Sequence, residues 1–221
     1  MLALRRLCPL VACAGIAVAV GAMVVGQVLA AASHPDPLAL TIGEYAAVEG
    51  SGATELAMIS LAVASLALVA GLRAARAPLG RAVERLLAVW SGALTVMALV
   101  PAGAPGSAST LDGWLPGQVH GYASAVAFVA LPVAGALMVA RLGEDERWKV
   151  VARPVEWLAL LCGFGLAVVT YVALPGDRVF IGLAERALLA AEIALVAVLA
   201  VRLAHLSRVR STARASQAAL G

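Results

Sequence analysis

Residues 179–201 read VFIGLAERALLAAEIALVAVLAV, and the fold turns on this run. A helix crosses the hydrocarbon core of a bilayer with about 20 mostly apolar residues at a rise of about 1.5 Å each. The run is long enough to do so, yet it carries Glu185, Arg186 and Glu192. Counting about 20 residues back from Arg202 puts the far end of the span near Gly182. Glu185 and Arg186 then fall in its first turn or so, and Glu192 near the midplane. Glu192 lies roughly 10 Å deeper than Glu185 on nearly the same helix face. The stretch therefore predicts a membrane-spanning helix with an acidic stripe entering from one end.

The rest of the chain repeats the apolar pattern. Of 221 residues, 62% are hydrophobic and 13% charged, and the mean hydropathy is +0.96; these values exclude a disordered chain and an ordinary soluble domain. No charge occurs between Arg6 and Asp36, Glu55 and Arg73, Arg85 and Asp112, Asp112 and Arg141, or Glu156 and Asp177. The prediction is an all-α, polytopic bundle of six transmembrane helices in a single domain. Its spans are about 7–30, 54–72, 84–103, 118–140, 155–175 and 181–203, followed by a basic tail over 204–221.

The net charge of +3, from 16 basic and 13 acidic residues, is too small for a nucleic-acid binder unless concentrated on one face. Its placement instead sets topology. Arg5 and Arg6, Arg73 to Arg85, Arg141 to Arg153, and Arg202 to Arg214 alternate with the spans and hold fourteen of the sixteen cations. The positive-inside rule then predicts both termini cytoplasmic. Glu44, Glu55, Asp112, Asp177 and Glu185 fall toward the outer side, with Arg178 and Arg186. The basic groups read as a rim facing anionic lipid. Fifteen of those sixteen are Arg, which with abundant Ala points to a bacterial cell membrane.

Arg5-Arg6 and the apolar run after them resemble a secretory signal, and Leu10-Val11-Ala12-Cys13 a lipoprotein processing box. The run is longer than a signal core of roughly 7–15 residues and reads as the first span. Cys8, Cys13 and Cys162 imply no structural disulfide. Trp148, Trp157 and Trp114 fall at predicted interfaces as anchors or packing residues, with Trp90 about one turn inside span three. Gly15, Gly21, Gly26, Gly163 and Gly165 permit close helix approach. No CxxC pair, HExxH, phosphate-cradling loop or Gly-x-Ser-x-Gly elbow occurs, and no cofactor is implied.

Chemistry is expected where ionisable groups sit at depth. A carboxyl near the midplane is costly and normally points to a partner or a water-filled cavity, which makes Glu192 a proton-coupling candidate; the plainer reading is a hydrogen-bonded packing group between helices. Arg186 has Glu44, Glu55 or Asp112 as prospective partners at the outer mouth. His120 begins the fourth span and carries the side chain best suited to proton exchange near neutral pH, so it is the catalytic candidate, against a role as polar cap. His34, Asp36, Glu44, Asp112 and His120 lack a recognisable zinc spacing, and no metal is expected. His34-Pro35-Asp36-Pro37, Thr41-Ile42-Gly43-Glu44-Tyr45 and Thr110-Leu111-Asp112-Gly113-Trp114 read as loop segments at the bilayer surface or as the lining of a headgroup pocket.

The Pro-containing first outer loop, Asp112-Gly113 followed by Gly117-Gln118-Val119-His120-Gly121 and the small, apolar run to Phe128, and Gly182-Leu183-Ala184-Glu185-Arg186 resemble the domain-of-unknown-function 998 family of six-helix membrane proteins. The resemblance spans about residues 7–204. It implies the fold and a membrane location but no reaction, and it reinforces His120, Glu185 and Arg186 as site residues. Members commonly carry a Phe-Pro-x-Asp-like element. Here Leu99-Val100-Pro101-Ala102 keeps the proline without the acid, so that a family activity needing it is either absent here or served by Asp112.

The function expected from these readings is an outward-facing pocket for a lipid headgroup or small polar ligand, built from Glu44, Asp112, His120, Glu185 and Arg186. A lipid-modifying hydrolase or transferase using His120 as base, a proton-coupled transporter using Glu192, and a purely structural membrane protein are the alternatives. The partners left open are membrane lipids and a second copy of the chain in a homo-oligomer.

Overall fold

A computed structural model describes residues 2–31, 38–49, 52–100, 102 and 111–218, with side chains over 7–28, 38–46, 52–100, 102 and 115–209. Seven helices follow in order: α1 Leu2–Ala31, α2 Ile42–Glu49, α3 Ala53–Ala75, α4 Arg81–Leu99, α5 Leu111–Glu144, α6 Lys149–Ala173 and α7 Ile181–Ala218. All but α2 contain a segment long and apolar enough to cross a membrane. Large apolar side chains such as Val24 on α1, Ile59 on α3, Val133 on α5 and Phe164 on α6 are exposed on the outside of the bundle. Water would not tolerate such a belt, and lipid does. The chain is a multi-pass membrane protein.

The helices form a closed ring in which α1 packs on α3, α3 on α4, α4 on α5, α5 on α6, α6 on α7 and α7 on α1, while α7 also touches α3 and α5. Small residues set the closest approaches. A Cβ added at Gly15 would stand 2.9 Å from Ala64 Cβ, and one at Gly135 2.9 Å from Ala159 Cβ. Gly165 does the same for α6 against Leu188. Gly21 and Gly163, expected to act alike, face open space. Trp90 and Trp148 are both fully buried, whereas Trp157 is exposed. So Trp148 is a packing residue rather than an interfacial anchor. Trp114 lies outside the described side chains. Cys8, Cys13 and Cys162 are free thiols.

The two ends differ in chemistry. At one, Gly71 of α3 meets Cys8 of α1 and Leu203 of α7. Here Arg73 pairs with Glu84 at 2.7 Å, Arg147 with Asp145 at 2.8 Å, and Arg202 Nε donates to the Arg147 carbonyl at 2.8 Å. The Arg147 guanidinium holds the Asp145 carboxyl below the usual range. This is the basic end. One boundary departs from the sequence expectation: part of the first outer loop is helical, as α2, while the basic segment after residue 203 continues α7 as far as Ala218.

Candidate functional site

The opposite end, the mouth, is organised by α2. Thr41-Ile42-Gly43-Glu44 forms a capping box, in which a hydroxyl and a carboxylate three residues apart satisfy each other's backbone donors. Glu44 N donates to Thr41 Oγ1 at 3.1 Å, and Thr41 N donates to Glu44 Oε2 at 3.0 Å. An eight-residue helix is marginal alone, and this one is tied to the start of α7. Ile42 N donates to Glu185 Oε2 at 2.8 Å, Gly182 N to the Leu38 carbonyl at 2.9 Å, and Arg186 Nη1 to the Leu40 carbonyl at 3.2 Å. Ile42 and Tyr45 are buried beneath it.

His120 faces α2 from α5. A Cβ on Gly43 would stand 2.7 Å from His120 Nε2 and 2.8 Å from Ala102 Cβ, so only glycine lets the helix come this close. His120 is buried, and its Nδ1 lies 2.8 Å from the Val100 carbonyl. A carbonyl only accepts, so Nδ1 donates its proton to Val100, and Nε2 is the ring nitrogen turned toward α2.

Arg178 arrives through a strained turn. Asp177, Arg178 and Phe180 have φ of 50°, 59° and 61°, left-handed values that non-glycine residues rarely adopt. The turn sets Arg178 Nη2 2.8 Å from both oxygens of Glu44. Burial alone would push the Glu44 carboxyl up, but the Thr41 backbone bond and Arg178 outweigh it and hold the group below the usual carboxylate range.

Thr41, Glu44, His120, Arg178 and Glu185 all line one cleft of about 600 Å³. It continues between α5 and α6 past Ser124, Phe128, Val129, Leu166 and Val169. One end is charged and the other is apolar.

Three of the five residues expected at the ligand pocket, Glu44, His120 and Glu185, thus share a cleft. Arg186 does not join them. It sits across α2, lining a separate groove, and among the described residues it makes no ion pair. Glu44, offered to it by the sequence, pairs with Arg178 instead. Asp112 lies outside the described side chains, as do His34 and Asp36 of the zinc set. Sequence reasoning left Arg178 out of the pocket and, though it offered Thr41-Ile42-Gly43-Glu44-Tyr45 as a lining segment, gave Thr41 no role of its own. The T-x-x-E spacing would have found the second; a left-handed turn of non-glycine residues gives no signal for the first.

Glu192 lies below both openings and is fully buried. Trp90 Nε1 donates to its Oε2 at 3.3 Å, while Oε1 has no hydrogen-bond partner among the described residues. It lines a cavity of about 20 Å³ with Met97, Phe128 and Leu189, room for a single water. Nearby, the Ser65 and Ser91 hydroxyls bond each other between α3 and α4.

No curated protein and no solved structure matches the chain. A family described as "Protein of unknown function (DUF998)" matches residues 11–202, and the chain belongs to that family.

Proposed function

We propose that the protein holds the polar head of a membrane lipid in the cleft between α2, α5, α6 and α7, with the lipid chain lying along the α5–α6 groove. The observation that carries this reading is the continuity of the cleft from a charged end at Glu44, His120, Arg178 and Glu185 to an apolar one at Val129, Leu166 and Val169. An amphiphile has the same polarity in the same order. His120 Nε2 hydrogen-bonds the head, the carboxylates accept hydrogen bonds from it, and Arg178 meets its phosphate. The cationic rim at the opposite end supports an orientation with both termini in the cytoplasm of the cell and the cleft facing outward.

The test is lipid retention. Native mass spectrometry of the detergent-purified protein is expected to show bound lipid, lost when Val129→Trp and Val169→Trp fill the groove. Equal retention by the filled variant, or a lipid-free wild type, contradicts the reading.

A second reading, proton-coupled transport, is favoured by the unpartnered Oε1 of Glu192 at the 20 Å³ cavity. It predicts pH-dependent flux in proteoliposomes that Glu192→Gln abolishes. Flux unchanged in that variant removes Glu192 from any coupling role.

A further inference from the structure

Arg186 lines a groove of its own. About 480 Å³ of space runs along α1 and α7 over Val20, Val24, Ala190 and Ile193 and meets Gln27 and Arg186 at the mouth. This is within the range of ligand sites, about 300–1,000 Å³.

The bonding of the guanidinium is uneven. Nη1 is engaged by the Leu40 and Gly182 carbonyls at 3.2 and 3.0 Å. Its face lies 5.0 Å from the Tyr45 ring centroid. The remaining edge, Nε and Nη2, is the one by which arginine grips a phosphate in bidentate fashion. Among the described residues it meets only a neutral amide, since Gln27, turned so that both groups are satisfied, accepts from each nitrogen at 3.2 Å. The neighbouring carboxylate of Glu185 is committed to Ile42 on the other side of α2.

We propose that this groove is a second lipid site, distinct from the α5–α6 cleft, and that it takes an anionic phospholipid. The phosphate displaces Gln27 from the Nε/Nη2 edge of Arg186, and an acyl chain lies over Val20, Val24 and Ile193. Three features select that occupant. Arg186 sits about one turn inside its span, close enough to the interface for its long side chain to reach up to a phosphate. The groove below it is apolar. Among the described residues no acidic side chain lines it, so the ammonium of a zwitterionic head finds no counterion on this lining, whereas a net-negative head meets an arginine that forms no salt bridge among them and feels the Glu185 carboxylate only at a distance.

The experiment uses the full chain in phosphatidylcholine vesicles doped with spin-labelled phosphatidylglycerol, spin-labelled phosphatidylcholine or spin-labelled fatty acid, with the immobilised fraction read by electron paramagnetic resonance. The wild type is expected to prefer phosphatidylglycerol over phosphatidylcholine by about tenfold, the scale of one charge-assisted contact. Arg186→Gln and Ala190→Trp are expected to lose the preference, and Val129→Trp, which fills the other cleft, to keep it. Because Arg186 also ties down Leu40, its replacement can impair folding. Ala190→Trp leaves the arginine in place and decides the question in that event. Equal binding of the two phospholipids, a preference that survives Ala190→Trp, or one abolished by Val129→Trp overturns the proposal. Selective capture of the fatty acid alone overturns the phospholipid assignment.

Discussion

The carboxylate of Glu185 accepts the backbone N–H of Ile42 at 2.8 Å, joining the first turn of α2 to α7 across 143 positions of chain. A short helix thereby becomes part of the bundle wall, and it divides the mouth into the cleft of His120 and the groove of Arg186. Glu185→Ala leaves the amide of buried Ile42 unpaired, at a cost of about 1–3 kcal/mol. A lower thermal midpoint in detergent and faster amide exchange over residues 41–45 are the expected results. Glu185→Gln keeps an acceptor and is expected to lose less.

Gly43 sets how near α2 comes to α5. Since an added Cβ would meet both His120 Nε2 and Ala102, Gly43→Ala is expected to destabilise by about 1–3 kcal/mol, in the range of overpacking. The His120 ring signals in NMR should shift in that variant. An unchanged melting curve with unchanged ring signals would mean that the helix does not press on the histidine.

Glu44 supplies a pH dependence of known sign. Its carboxyl is held below the usual range in the folded protein, so the folded state binds this proton less readily than the unfolded one. The stability involved is present above the ordinary glutamate pKa, about 4.3, and is lost as pH falls through the lowered folded value. Arg178 is 53% exposed, which limits the pair to about 0–1 kcal/mol. Thermal midpoints of wild type and Glu44→Gln should differ at neutral pH and converge in acid, and Arg178→Gln should raise the Glu44 pKa measured by NMR.

Glu192 and Trp90 form a buried polar contact between α4 and α7. Glu192→Leu strands the indole N–H in the interior and is expected to cost about 1–3 kcal/mol, whereas Glu192→Gln retains an acceptor and costs less. The indole nitrogen resonance of Trp90 is the direct readout: it should move strongly with leucine and little with glutamine.

The bundle was legible because hydrocarbon punishes charge. The arginines and acids that interrupt the apolar runs mark where six helices must end, to within a few residues of Leu7–Val28, Ala53–Ala75 and the rest. The mouth was legible only in part. Glu185 is visible as an acid within a span, but its partner is the amide of Ile42, and backbone groups carry no sequence signature. Thr41-Ile42-Gly43-Glu44 did carry one, the capping box, inside a segment whose prolines and small residues read as loop. Arg186 went to the far side of α2 because residues one apart on a helix point about 100° apart. Adjacency to Glu185 in the chain therefore separates the two in space.

The most direct measurement is photocrosslinking of a bilayer phospholipid with a diazirine near its head, mapped by mass spectrometry on the intact protein in liposomes. If the cleft holds a lipid, adducts concentrate on 120–129 of α5 and 166–173 of α6 and disappear in Val129→Trp. Adducts spread evenly over the exposed faces of α1, α3 and α6, and unaffected by Val129→Trp, would show that lipid merely surrounds the bundle.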